Sequence, residues 1–321
     1  MAGSGRQDGS GWSFAVLGPG GVGGLLAGLL ARDGHQVTLI AREDTAATLH
    51  ERDVAVRSAA LGDADLAADR PGADSSLRVA TGLEEPVDAC LVTVKATQLD
   101  AAVERVPPER LGGGLVVPFL NGVEHVTTLR RRYPPAQVVA ATISVEAYRT
   151  GVGEIVHGSP FARAVLATGR ADRGRVEALA GHLERAGLSV TVREDETAVL
   201  WDKLRFLGPL ALATTLAAAP VGVVRTRHRE QVHALIRETA AVARALGVDA
   251  DPEKVIAHVD TLPEHMESSM QRDAAAGRAT ELDAIGGAIL RAATRTGVDA
   301  PTTTRVVNQL RAAEHTRPAA S

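Results

Sequence analysis

The stretch Gly18-Pro19-Gly20-Gly21-Val22-Gly23 has a spacing suited to holding phosphate groups. Phosphate oxygens are best met by free backbone N–H groups at the start of a helix, and an intervening side chain would block the approach. In G-x-G-x-x-G the first glycine permits a tight turn and the second lets the backbone come close to a pyrophosphate. The third lets the following helix pack against its sheet. Gly18, Gly20 and Gly23 occupy those places, and Gly21 and Val22 complete the expected cradle. The motif alone is weak in a chain with 32 glycines. Its context strengthens it, because an apolar strand at 14–17 precedes it and a helix at 25–33 follows, stopped by Gly34.

The end of the next strand, 36–41, selects the nucleotide. It reads Ile40-Ala41-Arg42-Glu43. A carboxylate there would hold the ribose hydroxyls of NAD, whereas Arg42 suits a 2′-phosphate and can stack on adenine. NADP is therefore the expected cofactor, with Glu43 leaving NAD open. Taken alone, Lys203 reads as a surface lysine, Glu281 as a helix-dipole carboxylate behind a Thr280 cap, and Asn121-Gly122 as a turn.

Composition removes other classes of function. A formal net charge of -4 argues against a general nucleic-acid binder, and 2% aromatic residues leave little for base stacking. Cys90 is the only cysteine, which excludes an intrachain disulfide and a cysteine-built zinc site. It lies in the apolar run Ala89-Cys90-Leu91-Val92 and reads as a small core residue. The histidines show no HExxH or similar spacing, so no metal is expected. The apolar stretch 14–30 is broken by glycines and followed by Arg32-Asp33, which predicts no membrane span. No secretory signal pattern is visible, and a cytoplasmic location is expected.

The elements needed to place these residues follow the same periodicities. Strands are expected at 54–57, 89–94, 115–119 and 138–143, alternating with helices in a mostly parallel sheet. Further strands are expected at 152–157, 163–167 and 188–192, with a helix at 172–186. Beyond residue 193 strand signals vanish. Helices are expected at 194–216, 227–246, 251–261, 268–275, 281–296 and 303–313, with Pro209 kinking or breaking the first. The fold class is thus α/β, a Rossmann-type dinucleotide-binding domain at 13–193 followed by an all-α domain at 194–315. Residues 1–12 and 316–321 are expected to be tails, the first disordered. An Ala- and Leu-rich helix face at 233–246 suggests a homodimer through the helical domain.

Several stretches in this order resemble the ketopantoate reductase (2-dehydropantoate 2-reductase) family. They are the glycine loop with Arg42; Thr93-Val94-Lys95-Ala96-Thr97-Gln98; Leu120-Asn121-Gly122-Val123; Leu200-Trp201-Asp202-Lys203-Leu204; Ser268-Ser269-Met270-Gln271-Arg272-Asp273; and Arg278-Ala279-Thr280-Glu281-Leu282-Asp283. The resemblance implies NADPH-dependent reduction of a small 2-keto acid or related ketone. It implies Lys203 as general acid and Glu281 beside the substrate, holding it and Lys203 in place. Ser269 would contact the substrate carboxylate, and Asn121 would bridge nicotinamide ribose and substrate. Lys95 and Gln98 would lie near the cofactor, with Lys95 able to reach the substrate.

One departure bears on the substrate. The family carries Asn four and eight residues beyond the lysine, where this chain has Leu207 and Ala211. Positions i, i+4 and i+8 share a helix face. Losing two amides there predicts a less hydroxylated or bulkier ketone than ketopantoate. The alternatives are ketopantoate reduction proper, in pantothenate synthesis, and a non-catalytic NADP sensor.

Overall fold

The computed structural model describes residues 11–67 and 76–316, so most of the two expected tails lies outside the described residues. Trp12, expected in the first tail, packs instead, with its ring centroid 4.5 Å from that of His182. The chain divides into two compact units. The first takes in Met1–Val94, Gln98–Leu120 and Val126–Glu194. The second takes in Lys95–Thr97, Asn121–His125 and Asp195–Ser321.

In the first unit the strands are β1 (Ser13–Leu17), β2 (Gln36–Ile40), β3 (Val54–Ser58), β4 (Ala64–Leu66), β5 (Leu77–Ala80) and β6 (Ala89–Val92). They are followed by β7 (Leu115–Pro118), β8 (Ala141–Ser144), β9 (Ala147–Gly151), β10 (Glu154–His157), β11 (Arg163–Ala167) and β12 (Ser189–Arg193). The helices are α1 (Gly21–Arg32), α2 (Glu43–Glu51), α3 (Leu99–Val103), α4 (Pro108–Leu111), α5 (His125–Arg132, its first residue grouped with the second unit) and α6 (Arg173–Arg185). A five-stranded sheet has the order β5-β2-β1-β6-β7, and all its pairings are parallel. β1 and β6 at its centre are buried along almost their whole length, as parallel strands under helices must be.

The mostly parallel sheet expected from the strand–helix alternation forms, but not every strand expected in it joins. β3 and β8 leave it for separate sheets, ordered β4-β3-β10-β9 and β12-β11-β8. The reason is legible in β3, where buried and less buried residues alternate, the mark of a strand with one face in the core. The short strands β4 and β9 carry polar residues and gave no periodic signal.

The second unit is helical: α7 (Glu196–Ala217), α8 (Val221–Arg227), α9 (Arg229–Ala245), α10 (Pro252–Thr261), α11 (Ser269–Ala275), α12 (Ala288–Thr296) and α13 (Pro301–His315). Side chains of Asp195, Asp251 and Ser268 cap α7, α10 and α11. Gly247 and Gly297 end their helices with φ of 86° and 69°. Pro209 does not break α7, which runs through it. Gly208, Pro209, Leu210 and Ala211 are all buried there, and that packing outweighs the proline's missing N–H. The helix expected at 281–296 opens with a π-helical segment, Asp283–Gly287, before α12. The α9 face proposed for dimerisation is core, since Leu235, Ile236, Ala240 and Ala243 are fully buried within this unit. Among the described residues no single helix is long and apolar enough to cross a membrane.

Candidate active site

In the first unit the glycine loop joins β1 to α1. Gly18 has φ +108°, the left-handed region that favours glycine. A Cβ at Gly23 would collide with the carbonyl oxygen of Gly18 and the hydroxyl of Thr93, and one at Gly21 with the Ala147 backbone. A Cβ at Gly20 would meet nothing within 4 Å, so the loop is open on that side. The first turn of α1 holds Gly21, Val22 and Gly23, has no acidic residue and no side-chain cap. Its first N–H groups are therefore offered to an anion, and the residues present fit a dinucleotide pyrophosphate. Arg42 follows β2, is exposed, and has no ion pair among the described residues. Gln98 is exposed at the start of α3. Cys90, by contrast, is buried in β6, and desolvation pushes its thiol up to about 12. It is core, as its apolar neighbours suggested.

The second unit gathers the remaining residues. Lys203 projects from α7 and donates from Nζ to Asn121 Oδ1 at 2.9 Å. Asn121 Nδ2 donates to Glu281 Oε2 at 2.8 Å, and the Ala96 backbone N–H donates to Glu281 Oε1 at 3.0 Å. A cation on one side and a carboxylate on the other fix which way the Asn121 amide points. Glu281 thus reaches Lys203 through Asn121 and not by direct contact. Glu281 is buried at 7% exposure and has both oxygens occupied. Burial lowers the Lys203 ammonium to about 8, with the charge of Glu281 opposing the shift.

Three local features hold this chain of groups. Gly122 has φ +89°, and a Cβ there would collide with the Ala284 carbonyl of the π-helical segment. The Asn121 turn therefore lies directly on the backbone that follows Glu281. Arg291 on α12 grips Glu124 with Nε at 3.0 Å and Nη2 at 2.7 Å, and donates to Asp283 at 2.9 Å. This fastens the turn to the π-helical segment through a planar fork. Thr280 accepts from the Leu282 N–H at 3.2 Å, but the helix begins at Leu282, so Glu281 stands just before the first turn and not within it.

Other predicted residues stand apart from this chain. Lys95 Nζ pairs with Asp273 Oδ2 at 2.7 Å, and Asp273 Oδ1 accepts from Arg278 Nε at 2.9 Å. Ser269 is exposed at the start of α11, while its neighbour Ser268 makes the cap and bonds Thr214. Ala211 is 1% exposed and belongs to the helical core, whereas Leu207 is half-buried.

Two groups were not singled out from sequence. Asp273 lay within a recognisable stretch but had no assigned partner. His125 is 5% exposed with neither ring nitrogen bonded among the described residues. Burial, and then the charge of Lys203, push it down to about 3, so it stays neutral. Nothing in the sequence around it signalled either property.

The residues of this constellation can be set beside known proteins. The family model described as ketopantoate reductase PanE/ApbA matches residues 14–168, and its C-terminal counterpart matches 196–314. The chain belongs to the ketopantoate reductase family. It is an oxidoreductase of the class acting on a CH–OH or ketone group, in a family of dinucleotide-dependent reductases. The 2-dehydropantoate 2-reductase of Caulobacter vibrioides is 33% identical, over 94% of this chain and 99% of that one. An uncharacterized oxidoreductase of Bacillus subtilis is 29% identical, over 90% and 94%. The solved PanE/ApbA family ketopantoate reductase from Ralstonia eutropha has a TM-score of 0.81 and 26% identity, covering 94% and 98%. Ketopantoate reductases thus share with this chain both the parallel-sheet unit and the helical one.

Proposed function

We propose that the protein reduces a 2-keto acid with NADPH, using Lys203 as general acid. The observation that carries this reading is the chain Lys203–Asn121–Glu281, which holds an ammonium of pKa about 8 in a half-buried position. Bound NADPH would supply a hydride to the carbonyl carbon. As that bond forms, the C=O π electrons move to oxygen, and the oxygen takes a proton from Lys203 Nζ. The resulting neutral amine keeps Asn121 Oδ1 as its acceptor, so the nitrogen stays in place. A pKa near 8 leaves most of the lysine protonated at neutral pH while making it a better acid than an exposed one. The negative charge of Glu281, relayed through the Asn121 amide, keeps the pKa from falling further.

The remaining roles follow from placement. The glycine loop would take the pyrophosphate and Arg42 the 2′-phosphate. Gln98 would lie beside the nucleotide. The exposed Ser269 hydroxyl has no bond among the described residues and would receive the substrate carboxylate. Lys95 is committed to Asp273, so its reach to substrate requires exchange of that pair.

For the substrate, Leu207 lies one turn beyond Lys203 on the same helix face and offers no hydrogen bond. A substrate hydroxyl buried against it would lose a bond worth about 1 kcal/mol or more. The favoured substrate is therefore a 2-keto acid with an apolar side chain. Ketopantoate is the alternative, favoured by the names of the relatives. The test is NADPH oxidation with ketopantoate and with apolar 2-keto acids. Higher kcat/KM for the apolar acids is expected; clear preference for ketopantoate rejects the substrate assignment, and no turnover of any of them rejects the reductase reading.

A further inference from the structure

Arg105 follows α3 in the first unit and its side chain is held in an unusual place. Nη1 donates to the Thr81 carbonyl at 2.9 Å and to the Ala41 carbonyl at 3.4 Å. These carbonyls come immediately after β5 and β2, neighbouring parallel strands, and Ala41 itself donates to the Ala80 carbonyl at 2.9 Å. The Arg105 carbonyl in turn accepts from the Leu83 N–H at 2.8 Å. The guanidinium is therefore pinned by one nitrogen to the C-terminal rim of the parallel sheet, beside the residue that precedes Arg42.

The rest of the fork is unspent. Among the described residues Nε and Nη2 have no hydrogen-bond partner, and neither is sealed from solvent. Arg105 forms no ion pair there, and the adjacent carboxylate of Glu104 is engaged by Arg132. Arg42 likewise has no ion pair among the described residues, so two such cations flank one strand end. The nearest acids along the chain, Glu43 and Asp44, stand in the first turn of α2. In sheets of this kind ligands bind outside the carboxyl ends of the strands, and the end of the second strand is where the adenosine ribose sits. A planar fork immobilised on one side and open on the other suits a tetrahedral phosphate.

We propose that Arg105 is a second specificity residue for the 2′-phosphate of an adenosine ribose, acting with Arg42. This rests on the NADP reading and adds to it a residue distant in sequence from the second strand. The probes are adenosine 2′,5′-bisphosphate and 5′-AMP, titrated calorimetrically into the full chain. Arg105→Gln should weaken the bisphosphate about tenfold, a loss of about 1.4 kcal/mol, and leave 5′-AMP unchanged. Arg105→Lys, which keeps the charge, should bind the bisphosphate more tightly than Arg105→Gln. Equal weakening of both probes by Arg105→Gln would make the residue a structural anchor and overturn the proposal, as would equal binding by the Gln and Lys variants. If Arg42→Gln loses the preference and Arg105→Gln retains it, only the Arg105 assignment fails. If the wild-type chain shows no preference for the bisphosphate, the NADP reading fails with it.

Discussion

Glu281→Gln separates an electrostatic role from a packing one. The carboxylate accepts from two donors, the Ala96 N–H and Asn121 Nδ2. A glutamine has one oxygen and one NH₂, so it can satisfy only one of them. If Asn121 flips to compensate, its own NH₂ faces the Lys203 ammonium. One buried bond is lost either way, at about 1–3 kcal/mol. The charge is lost as well. Lys203 and Glu281 are separated by a single amide, roughly 7 Å across, and at an effective dielectric of 20 to 40 their attraction is about 1–2 kcal/mol. That corresponds to roughly one pKa unit. Lys203 is held at about 8 with Glu281 raising it, so removing the carboxylate must move it down. The alkaline limb of kcat/KM, set by loss of the proton from Lys203, should shift from near 8 to near 7, which by itself lowers kcat/KM at pH 7 about twofold and at pH 9 about tenfold. The assay is the pH profile of NADPH oxidation with the best 2-keto acid, with NADPH affinity measured by fluorescence as a control. A limb that stays near 8 or moves upward would refute the coupling.

Other substitutions test the parts in turn. Gly122→Ala must place a Cβ at φ +89° against the Ala284 carbonyl, and should cost about 2 kcal/mol in chemical denaturation while lowering turnover through displaced Asn121. Gly23→Ala should abolish NADPH binding in a fluorescence titration, because the loop must open to admit the methyl. His125→Leu should flatten the acid limb of stability. The native imidazole titrates near 3 against about 6.5 when unfolded, so stability is full above 6.5 and falls as pH drops toward 3. Urea midpoints between pH 7 and 4 should fall less in the variant, and an equal fall would dismiss His125 as a source of acid sensitivity.

The sequence made some of this legible because the chemistry was local. Strand, glycine loop and helix occur within 13–32, and Gly18 and Gly23 are needed for reasons that hold over a few residues. Lys203 and Glu281 could be named only by resemblance, since they are 78 positions apart and each is ordinary alone. What could not be read was how they meet. Glu281 works through the Asn121 amide and a backbone N–H at Ala96, and a backbone donor has no signature in residue type. The π-helical turn after Glu281 looked like plain helix because its apolar spacing fits both. Pro209 is the reverse case, a potential helix breaker that its buried neighbours hold within one continuous helix. Leu207 and Ala211 share one apolar face by spacing, yet only Leu207 is partly open, because Ala211 is taken up by the core.

The central claim is that one lysine gives the proton, and Lys203→Ala tests it most directly. Single-turnover NADPH oxidation by saturated variant and wild-type protein isolates the chemical step, and fluorescence titration reports cofactor affinity. A loss of about 10²–10⁴-fold in the rate of the chemical step is expected, with NADPH affinity retained. A variant that oxidises NADPH at the wild-type rate would show that the proton comes from elsewhere.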